Sequence, residues 1–107
     1  MKLPPHVFAD TLRFYEHTLG LPVVERRADS VAIEFGHNRL WLDRVPTISQ
    51  AEIWLEVVTD DAATAATHLQ AHEVERCDAI EPLPLYFRGY WIASPAQVVH
   101  LVTEPGQ

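Results

Sequence analysis

Apolar positions along the chain switch between a helical and a strand period, and the switches mark the elements. Phe8, Leu12, Tyr15 and Leu19 recur at helical spacing, which predicts a helix over residues 8–19 with these side chains on one face. Gly20 stands where such a helix stops, and Pro22 prevents it from resuming. Residues 21–25 then read as a short strand. Val31, Ile33 and Phe35 alternate on one face of a second strand, Gly36-His37-Asn38 makes a turn, and residues 39–43 make a third strand. The stretch from Leu21 is therefore an antiparallel meander. Residues 45–50, with Pro46, Thr47 and Ser49, connect it to the second half.

The second half opens on the clearest alternation in the chain. Over residues 52–58, Ile53, Leu55 and Val57 face one way while Glu52, Trp54 and Glu56 face the other. Asp60 and Asp61 suit the positive end of a helix that runs through Ala62, Ala65, Ala66 and Leu69 to about Ala71. Residues 74–77 form a short strand, Glu81-Pro82-Leu83-Pro84 a loop, residues 86–93 and 98–103 the last two strands, and residues 104–107 a loose tail. With Met1–Val7 as a strand stub, the order is one β-α-β-β-β module written twice. Module one covers about 1–44 and module two about 51–104. Side by side they make an α+β fold: a curved mixed sheet with a concave cleft and the helices outside.

Composition narrows the function. The 107 residues are 48% hydrophobic and 21% charged, which is globular and fits a single domain, 1–107. Fifteen acids against eight bases leave a charge of −7, which argues against a nucleic-acid partner. Cys77 is the one cysteine, so internal disulfides and multi-cysteine zinc sites are excluded. No apolar run approaches the roughly 20 residues that span a bilayer. MKLPPHVFAD lacks the apolar stretch of a signal peptide, and the expected setting is cytoplasmic, with no membrane partner.

The candidate site follows from period two. If Ile53, Leu55 and Val57 pack under a helix, Trp54 and Glu56 line the concave side. The same argument applied to Val99 and Leu101 turns His100 inward, and Trp41, between Leu40 and Leu42, also faces away from its helix. Arg88 and Trp91 lie on a strand with large residues on both faces, so its inward face stays open. Indoles and carboxylates together suit a flat or cationic organic ligand. Glu56 desolvated among aromatics would suit a general base, and the rival role is pairing with Arg88. Arg88 could hold a ligand carboxylate or carbonyl, or pair with Glu34, Glu52 or Glu56. Cys77 reads as a packing residue.

The sequence resembles the vicinal oxygen chelate superfamily, also called the glyoxalase/bleomycin-resistance/dioxygenase superfamily. Phe14-Tyr15-Glu16-His17-Thr18-Leu19-Gly20-Leu21 matches its FY-x-x-x-LGL signature. Ala32-Ile33-Glu34-Phe35, Leu40-Trp41-Leu42 and Trp54-Leu55-Glu56-Val57-Val58 follow in order. Trp91-Ile92-Ala93-Ser94-Pro95 running into Val99-His100-Leu101-Val102 resembles its W-x-x-D-P-x-G-x-x-x-E/H-L ending. The resemblance implies metal-dependent isomerases, lyases, dioxygenases and thiol transferases, or proteins that sequester drugs without metal. It also implies four metal-ligand positions, on the first and last strands of each module. Here they fall at or before Met1, near Trp41, at Glu52 and, with one residue deleted in the turn after Ser94, at His100. Indole is no ligand, so the expectation is no cofactor and no metal; a divalent metal, if bound, would use Glu52 and His100.

These readings favour a metal-independent small-molecule binding protein with Trp41, Trp54, Glu56, Arg88, Trp91 and His100 as ligand-binding residues. The alternatives are a metal-dependent lyase, isomerase or dioxygenase, and a subunit whose cleft is vestigial. A poorly covered edge on module one predicts a homodimer.

Overall fold

A computed structural model describes residues 1–107, which divide into two compact units, Met1–Ile53 and Trp54–Gln107. The first unit contains β1 (Lys2–Leu3), α1 (Pro5–Arg13), a π-helical turn (Phe14–Thr18), β2 (Val23–Arg26), β3 (Ser30–Phe35) and β4 (Asn38–Arg44). The second contains β5 (Leu55–Val58), α2 (Ala62–Ala71), β6 (Glu75–Arg76), a 3-10 turn (Asp78–Ile80), β7 (Gly89–Ala93) and β8 (Val99–Thr103). The sheets run β1-β4-β3-β2 and β5-β8-β7-β6, each with its first strand parallel to its last and the rest antiparallel. The two orders are identical, so the chain is the β-α-β-β-β repeat that its sequence predicts. No helix is long and apolar enough to cross a membrane.

In the first unit α1 begins a turn before its first buried residue, because Pro5 at the start of the helix has no N–H to lose. Apolar periodicity registers the helix only from Phe8. The helix then widens: Leu19 N–H reaches Phe14 O at 2.9 Å, an i to i+5 bond, before Gly20 ends it at φ 71°. Leu3, Phe8, Val31, Ile33 and Leu42 form the core, flanked by Leu12, Tyr15 and Leu40. Phe35, expected on the same face, is 47% exposed at the hairpin end and meets Tyr15 edge-on.

In the second unit α2 is capped as its sequence predicts. The Asp61 carboxylate accepts the Thr64 N–H at 3.0 Å, which holds Asp61 below the usual carboxylate range. At the other end Val74 N–H bonds to Leu69 O and Glu73 N–H to Gln70 O, with Glu73 at φ 59°. Ala62, Tyr90 and Val102 form the buried core, with Ala66, Leu69 and Ile92 packed against it. Burial also raises the Tyr90 phenol, whose hydroxyl donates to Ala62 O.

Four expectations need correction. The strand expected over 52–58 is only Leu55–Val58, and Glu52 belongs instead to the first unit, where it exchanges backbone hydrogen bonds with Lys2. Ile53, Leu55 and Val57 are exposed rather than buried under a helix, the last two on an edge strand. The strand expected from Tyr86 starts at Gly89, because Tyr86 has φ 65° and Phe87 N–H closes a turn onto Pro84 O. The tail is tied down: Gln107 accepts the Arg88 N–H and donates to Arg88 O and Thr103 Oγ1.

Candidate functional site

Pairing across the second sheet assigns each side chain to a face. Trp91 pairs with Leu101 and Glu56 pairs with Leu101, so these three point to one side. Trp54, two residues before Glu56, meets Trp91 edge-on at 5.2 Å between ring centroids and 78° between planes. Ile92 and Leu55 both pair with His100, and these share their side with Tyr90 and Val102, the residues that pack on α2. The structure therefore brings Trp54, Glu56 and Trp91 together and puts His100 on the opposite, helix-bearing face. The inward turn expected for His100 is overturned. Val102, not Leu101, is the β8 residue buried on the helix, and a one-residue slip reverses every side chain of a strand.

Each residue of the aromatic face has a definite setting. Trp91 is 5% exposed, and its indole N–H donates to Glu81 O at 2.9 Å. It is a fixed wall against which the half-buried Trp54 leans. Glu56 is exposed, so the desolvation expected of it does not occur. Phe87 was not anticipated as part of this neighbourhood. Its Cε1 would lie 2.6 Å from any Cβ placed on Gly89, so its ring occupies the space that glycine leaves open. The sequence signal was that glycine, alone in a strand of bulky residues.

Arg88 pairs with none of the three glutamates considered for it. Its Nε donates to Glu104 Oε1 at 2.6 Å, while Glu104 Oε2 accepts the N–H of Ala62 at the start of α2. The Ala62 bond and then Arg88 hold the Glu104 carboxyl below the usual range. In the first unit Trp41 pairs with Ala32, opposite the core-facing Leu40 and Leu42, as expected. The Arg27 guanidinium lies 4.5 Å from its ring centroid. Cys77 lies beside Asp78 and Glu75, and burial followed by those charges raises its thiol, which suits packing over nucleophilic chemistry.

The donor set does not fit a catalytic metal. No group of three or more His, Cys, Asp or Glu is placed to hold an ion. Ser94-Pro95-Ala96-Gln97 is a complete turn, closed by Gln97 N–H to Ser94 O at 2.8 Å, with Gln97 in the left-handed position that the resembled ending gives to glycine. Counted through that turn without a deletion, the ligand position falls on Leu101, which faces Trp91 and has no donor atom. His100 donates from Nδ1 to Val98 O at 2.9 Å on the other face.

No protein-family model matches the chain. No curated protein matches it either. Solved structures do. A glyoxalase/bleomycin resistance protein/dioxygenase superfamily member from Vibrio splendidus 12B01 aligns at a TM-score of 0.67 and 11% identity, covering 96% of this chain and 94% of that one. The Mn(II)-bound glyoxalase from Novosphingobium aromaticivorans aligns at 0.67 and 17% identity over 96% of this chain, which spans 36% of that protein. A Legionella pneumophila protein described as an NAD-dependent benzaldehyde dehydrogenase aligns at 0.62 and 13% identity, covering 91% and 90%. At these identities the likeness is one of architecture, and the chain has the vicinal oxygen chelate fold of the glyoxalase/bleomycin-resistance/dioxygenase superfamily.

Proposed function

We propose that this protein binds a small organic molecule, flat or cationic, without a metal, on the helix-free face of its second sheet. The observation that carries the reading is the Trp54–Trp91 pair with exposed Glu56 on the same face. Trp91, locked by its bond to Glu81, fixes the angle of Trp54. The part-open Trp54 ring offers a π surface, and Glu56 offers a charge for a cation. Arg88 and His100 fall outside this site, one engaged by Glu104 and the other facing α2. A homodimer in the cytoplasm accompanies the proposal; exposed Leu55, Val57 and Val58 on edge strand β5 support the association.

The test is a titration of proflavine, a planar aromatic cation, followed by dye anisotropy with and without EDTA. Binding should be indifferent to EDTA and weakened by about 1–3 kcal/mol in Trp54→Ala, the loss of an aromatic anchor. Equal affinity of wild type and Trp54→Ala would remove the site. The Mn(II)-bound glyoxalase favours a second reading, a metal-dependent lyase, isomerase or dioxygenase. Stoichiometric metal retained by purified protein after dialysis would establish that reading in place of the first.

A further inference from the structure

The last turn of α2 and the residue that caps it carry His68 and His72, four residues apart and both exposed. Side chains at that spacing stand one above the other on a helix face. The helical turn is closed across the pair, since His72 N–H reaches His68 O at 3.3 Å and Leu69 O at 3.1 Å. The two imidazoles meet with ring centroids 4.4 Å apart and 63° between their planes.

That separation has a chemical meaning. An ion ~2.0 Å from one nitrogen of each ring lies about 3.2 Å from each ring centroid. Two such rings at a right angle around the ion stand about 4.5 Å apart, and at a tetrahedral angle about 5.2 Å. The observed 4.4 Å matches the right-angle arrangement, which is the one that square-planar and tetragonal copper(II) and nickel(II) adopt. The surroundings also suit a cation. The pair sits at the C-terminal end of its helix, which carries partial negative charge, and α2 contains no lysine or arginine. Arg76, the next basic residue along the chain, is engaged elsewhere: its guanidinium lies 4.2 Å from the Tyr90 ring centroid and 2.7 Å from Asp78 Oδ2. No third His, Cys, Asp or Glu completes the set, so water fills the remaining positions.

We propose that His68 and His72 form a chelating site for a divalent late transition metal, copper(II) foremost, on the exposed flank of α2. Copper(II) heads the divalent series in affinity for such nitrogen donors. The site takes up and exchanges an ion, and nothing in it depends on the Trp54 face. An ion held by two exposed ligands leaves on dialysis, so stoichiometric metal that survives dialysis belongs to a different, closed site.

Copper(II) chloride titrated into untagged, ¹⁵N-labelled protein at pH 7.5 tests this, because the paramagnetic ion broadens nearby amides. At substoichiometric copper, broadening centred on residues 67–73 is expected, and EDTA should reverse it. His68→Ala and His72→Ala should each weaken binding about tenfold or more, since either leaves a single imidazole and no chelate. In the double variant the two losses should fall short of multiplying, because the first already breaks the chelate. Both residues are exposed, and a dispersed spectrum confirms that the variants fold. His37→Ala removes an exposed histidine from the β3–β4 turn and should bind copper as wild type does. Broadening centred away from α2, a loss below about threefold in either single variant, losses that multiply fully, or an equal loss in His37→Ala would each overturn the proposal.

Discussion

Gln97 occupies the left-handed corner of the β7–β8 turn, at φ 63°, where a Cβ crowds the backbone. Its one side-chain contact, to Glu75 at 3.3 Å, is exposed and contributes little. Gln97→Gly is therefore expected to stabilise the protein by about 0.5–1 kcal/mol, after the extra freedom that glycine gives the unfolded chain. An upward shift of the urea midpoint checks it, and a downward shift would show that the side chain holds the turn. This residue also explains the site assignment that sequence reasoning got wrong. Glutamine in place of the expected glycine made the turn look one residue short, which moved the ligand position from Leu101 to His100. Trp54 and Glu56 were legible because the strict alternation of residues 52–58 assigns faces by itself. His100 was not, since Val99, Leu101 and Val102 are all apolar and the alternation alone does not say which side α2 covers.

The start of α2 shows what a single element reveals and conceals. Asp61 was readable as its cap because the bond to Thr64 N–H is local. Glu104 was not, since it reaches Ala62 N–H from 42 residues away, and only the β8–β7 pairing brings it and Arg88 to the helix. The same distance concealed the anchoring of the tail by Gln107. Element order was legible, because the period changes at each boundary. The exposure of Leu55 and Val57 was not, because alternation assigns a face and says nothing of whether a neighbour covers it. A pH prediction follows from the Glu104 clamp. The Ala62 N–H first, and Arg88 second, lower the folded carboxyl below its ordinary value of 4.5. The stabilisation is then fully present above that value and is lost as pH falls through the lower, folded one. Glu104→Gln should be less stable than wild type at pH 7, and the gap in urea midpoints should close as pH falls below 4.5. A gap that stays constant below that value would show that the charge on Glu104 contributes nothing to the clamp.

At the scale of the whole molecule, two sheets of the same strand order leave edges to be managed. β5 ends its sheet with Leu55, Val57 and Val58 at 47%, 45% and 62% exposure. Edges left open in this way usually carry charges, proline or a bulge to discourage pairing, and on β5 the one such device is Glu56, outnumbered by three exposed apolar side chains. A second copy is the simplest cover for such an edge, and two-fold dimers are the commonest closed assembly. Sedimentation at micromolar concentration should give twice the chain mass, and Val58→Lys should return it to one chain. Val58 is open enough for the variant to fold normally, so a changed mass reports association and not unfolding. Salt separates the forces. Each chain carries a charge of −7, so two copies repel, while the proposed contact is apolar. Raising ionic strength from about 0.05 to 0.5 M shortens the screening length several-fold and should tighten the dimer. A dimer that dissociates as salt rises would be held by ion pairs elsewhere on the surface, and a single-chain mass in the wild type would end the proposal.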